Sequence, residues 1–437
     1  MKRDRGSQRG DEPETAIENV IYSTSWKDSM RLIVHCILVL NTVCISLFVM
    51  YHLSFIVLHP FLAGRLASGK KRGLNTTIPS RMRRFAIVIP AHDEESIIRE
   101  ALESAKAIDY PSDKVEIIVI ADNCTDRTAE IVRSKGIRCE ERTDDVLHGK
   151  PYALEWLFRI IDLSRYDAFV IVDADTRIDR NFLPAMNEKL DSGAEIVQGY
   201  FGIMNPEDSW LTRLSVVTGA IKFHLRYSCK TMLGLSCPLM GNGMCFDRGV
   251  IARYGWNAFS LTENWEYYSK LVCDGYVPTY QGCAVIYSHA VIRLRHGEVQ
   301  RKRWVRGRMQ TSLKYVPKLL AMAVKRKSLV PLDAAIELLL PSHSMLLNWS
   351  LLTLFLSLGL GYAGWKFPAA DLVLTVNIGI QLAIFALGLV MSQASAKTWA
   401  SLPMVPIFLA WRLFVTIKAV FERRKSEWEK TNRILKP

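Results

Sequence analysis

The chain lacks any Cys-x-x-Cys pair: its nine cysteines are scattered over 437 residues, with Cys36 and Cys44 inside a long apolar run. Neither a zinc site nor a disulfide framework is indicated, which fits a reducing compartment. A single basic stripe is also missing. The formal net charge is +13, but the basic residues flank apolar runs, so no nucleic-acid partner is expected. Arg65, Lys70, Lys71, Arg72, Arg81, Arg83 and Arg84 follow the first run, and Arg423, Arg424 and Lys425 follow the last. That is the positive-inside pattern, with anionic membrane lipid as a partner. The apolar runs lack the paired charges of a transport path. Residues 1–28 lack apolar periodicity and read as a flexible polar tail. No cleavable signal is expected, because the apolar stretch after that tail begins late and runs long.

Apolar content is concentrated at the two ends, around a soluble middle. Residues 32–62 are almost all apolar; as a helix they would reach roughly 46 Å, enough for one tilted span. Lys27 and Arg31 before it are fewer than the cations after it, which places the amino terminus outside and the chain from Arg65 in the cytoplasm. Residues 85–310 read as the soluble body and 311–335 as an amphipathic interfacial segment. A carboxyl-terminal membrane region follows at 336–420, with a basic cytoplasmic tail at 421–437. Its three apolar runs read as about two spans plus an interfacial helix at 402–420, since Arg412 and Lys418 interrupt the last run.

The soluble body is organised around Ala168-Phe-Val-Ile-Val-Asp173-Ala-Asp175. A strand-forming run ends in two carboxylates, and residues two apart on an extended backbone share a side. Strand ends are where open α/β sheets hold ligands, and paired hard oxygens suit Mg²⁺ or Mn²⁺ carrying a diphosphate. Upstream, 85–90 and 115–121 are apolar strands, each followed by an acidic loop and a helix. The fold class expected is α/β, a doubly wound Rossmann-like sheet flanked by transmembrane helices.

Five motifs then occur in order: Pro90 with its acidic loop, Asp122 to Thr128, Gly149-Lys150, Asp173-Ala-Asp175, and the pair Leu261-Thr262-Glu263-Asn264 with Gln300-Arg-Lys-Arg303-Trp304. Together they resemble the family 2 glycosyltransferases of the GT-A fold. The likeness is to the membrane-embedded branch containing cellulose, hyaluronan and poly-N-acetylglucosamine synthases. By that resemblance Pro90, Ala91, Glu94 and Asp122 contact the nucleotide, Asp173 and Asp175 hold nucleotide sugar and metal, and Gly241-Asn242-Gly243 faces the acceptor. Asp122 can equally cap the helix after it, Lys150 is either a phosphate contact or an ordinary surface lysine, and the glycine pair is either an acceptor loop or a plain turn.

One departure stands out. The family's base is an aspartate where this chain has Asn264, which cannot accept a proton. Glu263 is the favoured substitute and Glu266 the second; Thr262 with Glu266 also resembles a helix cap. Arg303 offers a fork to diphosphate oxygens, Gln300 shares its helix face, and Trp304 suits an apolar floor under an acceptor sugar. Arg293, Arg295, Arg301, Lys302, Arg306 and Arg308 read mostly as a basic helix on anionic lipid.

The resemblance implies a metal-dependent, inverting hexosyltransferase at the cell (inner or plasma) membrane, multi-pass, with a cytoplasmic catalytic domain. Its donor would be a UDP-sugar, its acceptor a lipid-linked saccharide or polysaccharide, with polysaccharide-assembly proteins as further partners. The product would be an exopolysaccharide or glycolipid. A processive β-glycan synthase and a catalytically silent membrane scaffold are the alternatives.

Overall fold

The computed structural model describes residues 14–72 and 81–422, which form two compact units. The larger unit takes Tyr51–Met345 with the chain from Leu382 on, and the smaller takes the chain up to Met50 with Leu346–Gln381.

Among the described residues the larger unit is built on eight strands: β1 Phe85–Ala91, β2 Val115–Asp122, β3 Arg138–Arg142, β4 Ala168–Ile171, β5 Thr176–Ile178, β6 Ile196–Ile203, β7 Met244–Asp247 and β8 Thr279–Ser288. They form one sheet in the order β3-β2-β1-β4-β7-β6-β8-β5. The first four are parallel to one another; β7 is antiparallel to both its neighbours, and β5 is antiparallel to β8. The expected doubly wound sheet is therefore the amino-terminal half of a mixed sheet. Phe85, Ala86, Ile87, Val88 and Ile89 are all fully buried, as a parallel strand covered on both faces requires. Each large apolar side chain among them stabilises the fold by about 1.5–3 kcal/mol.

Among the described residues fifteen α-helices accompany the strands. α1 spans Glu14–Arg72; α2 Ile98–Lys106, α3 Thr128–Ser134, α4 Lys150–Ile160 and α5 Phe182–Asp191 connect the first strands. α6 Trp210–Ala220 runs through a π-helical stretch, Ile221–Tyr227, into α7 Ser228–Met232; α8 Arg248–Tyr254 and α9 Glu263–Asp274 follow. Next come α10 Leu294–Arg326, α11 Leu329–Leu339, α12 His343–Tyr362, α13 Pro368–Met391, α14 Ala396–Trp399 and α15 Val405–Phe421.

Among the described residues four stretches are long and apolar enough to cross a membrane: Asp28–Ala63, His343–Tyr362, Pro368–Met391 and Ala396–Phe421. In the smaller unit Ile45, Val49, Leu346 and Leu374 form an apolar core. Polar pairs tie it together: Trp349 Nε1 donates to Asn41 Oδ1 at 2.7 Å, and Asn377 Nδ2 to Ser46 Oγ at 2.8 Å. Such hydrogen bonds are the usual glue between membrane helices.

Several boundaries differ from expectation. The polar tail is helical from Glu14 on, because extending a helix past an apolar segment costs far less than nucleating one; residues 1–13 lie outside the described residues. The basic tail lies outside them from residue 423. Residue 310 is no boundary, since α10 runs through it to Arg326. Nor is 311–335 a free amphipathic segment. Tyr315, Leu319, Ala334, Ala335 and Leu338 join the same core as β1, β4 and α9.

Candidate active site

The strand ends β1, β2 and β4 open onto one cavity of about 1860 Å³, walled further by α4, α9, α10 and the loop before β7. Pockets for drug-sized ligands are typically about 300–1,000 Å³, so this one has room for two substrates. Pro90, Ala91, Glu94, Asp122, Lys150, Asp173, Asp175, Gly241, Asn242, Glu263, Asn264, Gln300, Arg303 and Trp304 all line it. Glu266 and Gly243 do not.

Asp173 and Asp175 reach the cavity by a different backbone from the extended one expected. Thr176 N donates to Asp173 O at 3.2 Å, closing a tight turn between β4 and β5. Ala174 faces inward, buried, while both aspartates stay partly exposed. The turn is held from beneath by Asn242. Its Oδ1 accepts from Asp173 N at 3.1 Å and its Nδ2 donates to Thr176 Oγ1 at 2.7 Å. Asn242 is thus buried, with both ends of its amide bonded to the turn that carries the aspartates.

Both glycines beside it need the left-handed region, Gly241 at φ 84° and Gly243 at φ 64°. A Cβ at Gly243 would strike Ile286 at 2.7 Å, so Gly243 serves sheet packing. Gly241 faces the site: a Cβ there would lie 3.7 Å from Glu263 Oε1. Gln198, fully buried on β6, fixes this loop by accepting from Met240 N at 2.8 Å and donating to Asn242 O at 2.9 Å. Nothing local in the sequence marks Gln198 out; only its burial beside a glycine loop does.

Lys150 is no ordinary surface lysine. Its Nζ lies 2.5 Å from Asp173 Oδ1 and also donates to Gly241 O. Asp122 is not a helix cap; Asp126 Oδ1 accepts from Thr128 N at the start of α3. Instead Asp122 pairs with buried Arg142 at 2.6 Å and accepts from Gly149 N at 3.2 Å, which ties the loop before α4 to the end of β2. Arg142 escaped the sequence reading because its partner is twenty residues away.

The two glutamates separate cleanly. Glu263 opens α9, half-buried against Gly241. Burial pushes its carboxyl above the usual range, opposed by the charges of Lys150 and Arg303 and assisted by Asp173. Glu266 points the other way. Its Oε2 accepts from Phe259 N and Ser260 N at 3.1 and 3.0 Å, and its Oε1 lies 3.1 Å from Lys314 Nζ. Burial works to raise its pKa, but the bond from Lys314, the Lys270 charge and the Ser260 N–H outweigh that and hold it down at about 2. Saturated and outside the cavity, it is a brace for the loop before α9. Thr262 caps through its backbone O, which accepts from Trp265 N and Glu266 N, not through its side chain. Asn264 Nδ2 donates to Leu239 O at 2.6 Å; a carboxylate there would set oxygen against oxygen.

On α10, Gln300, Arg303 and Trp304 face the cavity together. Arg303 Nε is buried with no hydrogen-bond partner, a donor left for a ligand. The other α10 cations are less lipid-facing than expected. Arg306 donates to Ala419 O at 2.9 Å and pairs with Glu422, as does Lys302 at 3.2 Å. Arg308 Nε donates to Leu338 O at 3.0 Å and its Nη2 to Glu337 O and Leu340 O, capping α11. These cations neutralise helix ends inside the protein.

The aspartate pair supplies hard carboxylate oxygens at a partly exposed turn, a donor set that fits Mg²⁺ or Mn²⁺. Lys150, Arg303 and the first turn of α4 supply the positive side that a diphosphate needs.

Comparison with known proteins bears on this geometry. The chain is 26% identical over 255 residues to a probable glycosyltransferase, YdaM, of Bacillus subtilis, covering 56% of this chain and 59% of that one. It is 24% identical over 245 residues to a beta-monoglucosyldiacylglycerol synthase of Nostoc, covering 53% and 50%. The chain thus spans little more than half the length of these curated relatives. A mannosyltransferase of Pyrobaculum calidifontis, solved with GDP-Man and Mn²⁺, superposes with a TM-score of 0.53 at 18% identity, covering 89% of this chain and all of that one; the shared fold is GT-A. The model of "glycosyltransferase like family 2" matches residues 83–307, just over half the chain and the whole sheet with its site, so this chain belongs to the family 2 glycosyltransferases.

Proposed function

We propose that the chain transfers a sugar from a UDP-sugar to a membrane-associated acceptor, a lipid-linked saccharide or growing glycan, with inversion at the anomeric carbon. One observation carries this reading: Glu263 stands at the same cavity wall as the Lys150–Asp173 pair and Arg303, so a base, a metal carboxylate and diphosphate-binding cations converge on one space.

The donor diphosphate lies between Asp173, Asp175, Lys150 and Arg303. Asp173 and Asp175 would hold a divalent ion, which would supply a Lewis acid to offset charge on the departing nucleoside diphosphate. Arg303 presents its free Nε and planar fork to the same oxygens. Glu263, its pKa raised, takes the proton from the acceptor hydroxyl as that oxygen attacks the anomeric carbon and the diphosphate leaves. An α-linked donor then gives a β-linked product. Trp304, exposed at the cavity, offers a flat apolar floor for the acceptor ring. Against the silent scaffold stands Glu263, a carboxylate that lines the cavity beside Asn264.

The membrane arrangement belongs to the same reading: one amino-terminal span, α12 and α13 crossing, and α15 lying at the cytoplasmic interface. Its support is that α15 is bound along α10, with Lys418 2.7 Å from Glu298 and Arg306 on Ala419 O. The test is UDP or GDP release by the purified chain in lipid discs, across a panel of nucleotide sugars with Mn²⁺ or Mg²⁺, with membrane lipid extract as acceptor. Metal-dependent release from one donor, lost in Asp175→Ala, supports the proposal. Release from no donor overturns it.

A further inference from the structure

Past Trp304 the cavity wall changes character. Arg301, one residue outside the Gln300–Arg303 face, lays its guanidinium over three rings: Trp411 at 5.5 Å, Phe408 at 5.9 Å and Trp304 at 5.9 Å. Arg412, on α15, is only 7% exposed; its Nη2 donates to Ser342 Oγ at 2.9 Å, while its Nε is buried with no partner. Both side chains line the cavity. Burial disfavours the Arg301 cation, and the nearby charge of Arg412 disfavours it further.

Among the described residues neither arginine has a carboxylate partner. That sets them apart from their neighbours. Lys302 and Arg306 share Glu422, Lys418 has Glu298, and Arg226 has Glu337 at 3.0 Å. Two like charges taken out of water without a counter-ion cost several kcal/mol each. Such a pair persists where a ligand brings the missing negative charge, and planar guanidinium forks match phosphate oxygens. The position narrows the source. The site adjoins Trp304, where the acceptor sugar is placed, and half of it is carried by the helix assigned to the membrane surface.

We propose that Arg301 and Arg412 bind the phosphate of the lipid anchor that carries the acceptor saccharide. The inference rests on the membrane-acceptor reading above and deepens it: the acceptor is a phosphate- or diphosphate-linked lipid. Trp411 and Phe408 then flank the first carbons of the lipid tail, while the sugar reaches Trp304 and Glu263.

The test is binding of radiolabelled farnesyl diphosphate to the full chain in discs of neutral lipid, with UDP and Mn²⁺ saturating the donor end. Unlabelled farnesol, the same tail without charge, should compete at least tenfold more weakly than unlabelled farnesyl diphosphate. Arg301→Gln and Arg412→Gln should each weaken binding about tenfold. Arg412→Lys, which keeps the charge, should recover most of it, and thermal melts check that each variant is folded. Equal competition by farnesol, or full binding in both Gln variants, overturns the proposal. So does displacement by discs containing phosphatidylglycerol, because the occupant is then a bulk lipid headgroup. The readout is independent of catalysis: strong binding without sugar release from any donor would sink the transferase reading and leave this site standing.

Discussion

Lys150 Nζ sits 2.5 Å from Asp173 Oδ1 and reaches the carbonyl of Gly241 in the loop before β7. One ammonium therefore orients the Asp173 carboxylate and holds the loop that faces Glu263. Lys150→Ala removes a positive charge from the diphosphate and releases Asp173. UDP affinity in the presence of Mn²⁺, measured by calorimetry, should fall about 10- to 100-fold, which is about 1.4–2.8 kcal/mol. Unchanged affinity would place the diphosphate elsewhere.

The two glutamates on α9 predict opposite phenotypes. Glu263→Gln should lower kcat by about 10²–10⁴-fold with little change in melting temperature. As a base Glu263 acts only when ionised, and its pKa is raised. In the wild type kcat/KM should therefore rise with pH through a value above the ordinary glutamate range, and Glu263→Gln should abolish that limb.

Glu266 is the reverse case. Its pKa is lowered from 4.5 to about 2, so the stability it contributes is present above pH 4.5 and is lost as pH falls toward 2. A shift of that size corresponds to about 3 kcal/mol, at 1.36 kcal/mol per pH unit. The exposure of Lys314 screens part of this, and about 2 kcal/mol is the expected loss in Glu266→Gln at pH 7 by denaturant titration. The acid limb of kcat/KM should stay in place in that variant. Its disappearance would return Glu266 to candidacy as the base.

How far these roles were legible in the sequence depends on the range of the interaction. That Asp173 and Asp175 reach one cavity could be read locally, because they follow an apolar strand, whereas Lys150 stayed open between a phosphate contact and a surface lysine until the fold paired it with Asp173. Arg303 and Trp304 could be read from their spacing on one helix. Glu263 and Glu266 could not be told apart, since both lie in the first turn of α9 and only the folded loop at 259–260 and Lys314, from a distant helix, claim the second. The loop at Asn242 stayed open between an acceptor loop and a plain turn, because a polar side chain between glycines looks the same whether it faces a ligand or Asp173 N. The antiparallel half of the sheet depends on where β7 inserts, which strand propensity does not encode. The α10 cations matched a lipid-facing helix by composition, whereas Glu422 and the α11 carboxyl end that satisfy them come from far along the chain.

Gly307 and Thr262 form the joint between α10, which carries Arg303, and α9, which carries Glu263. Gly307 lies in α10, one turn beyond Arg303, against Thr262 at the start of α9. A Cβ there would meet Thr262 Cγ2 at 2.5 Å, Oγ1 at 2.7 Å and the backbone N at 3.0 Å. By helix propensity alone, Gly→Ala in mid-helix stabilises by about 1 kcal/mol. Here the clash dominates, because part of it is with backbone that cannot swing away. Gly307→Ala should therefore lower the melting temperature and also reduce kcat, since α10 can relieve the contact only by moving Arg303 away from Glu263. Thr262→Ser removes the closest atom, Cγ2, and should restore part of both losses in the double variant. A more stable, fully active Gly307→Ala would show that the two helices do not need this close approach.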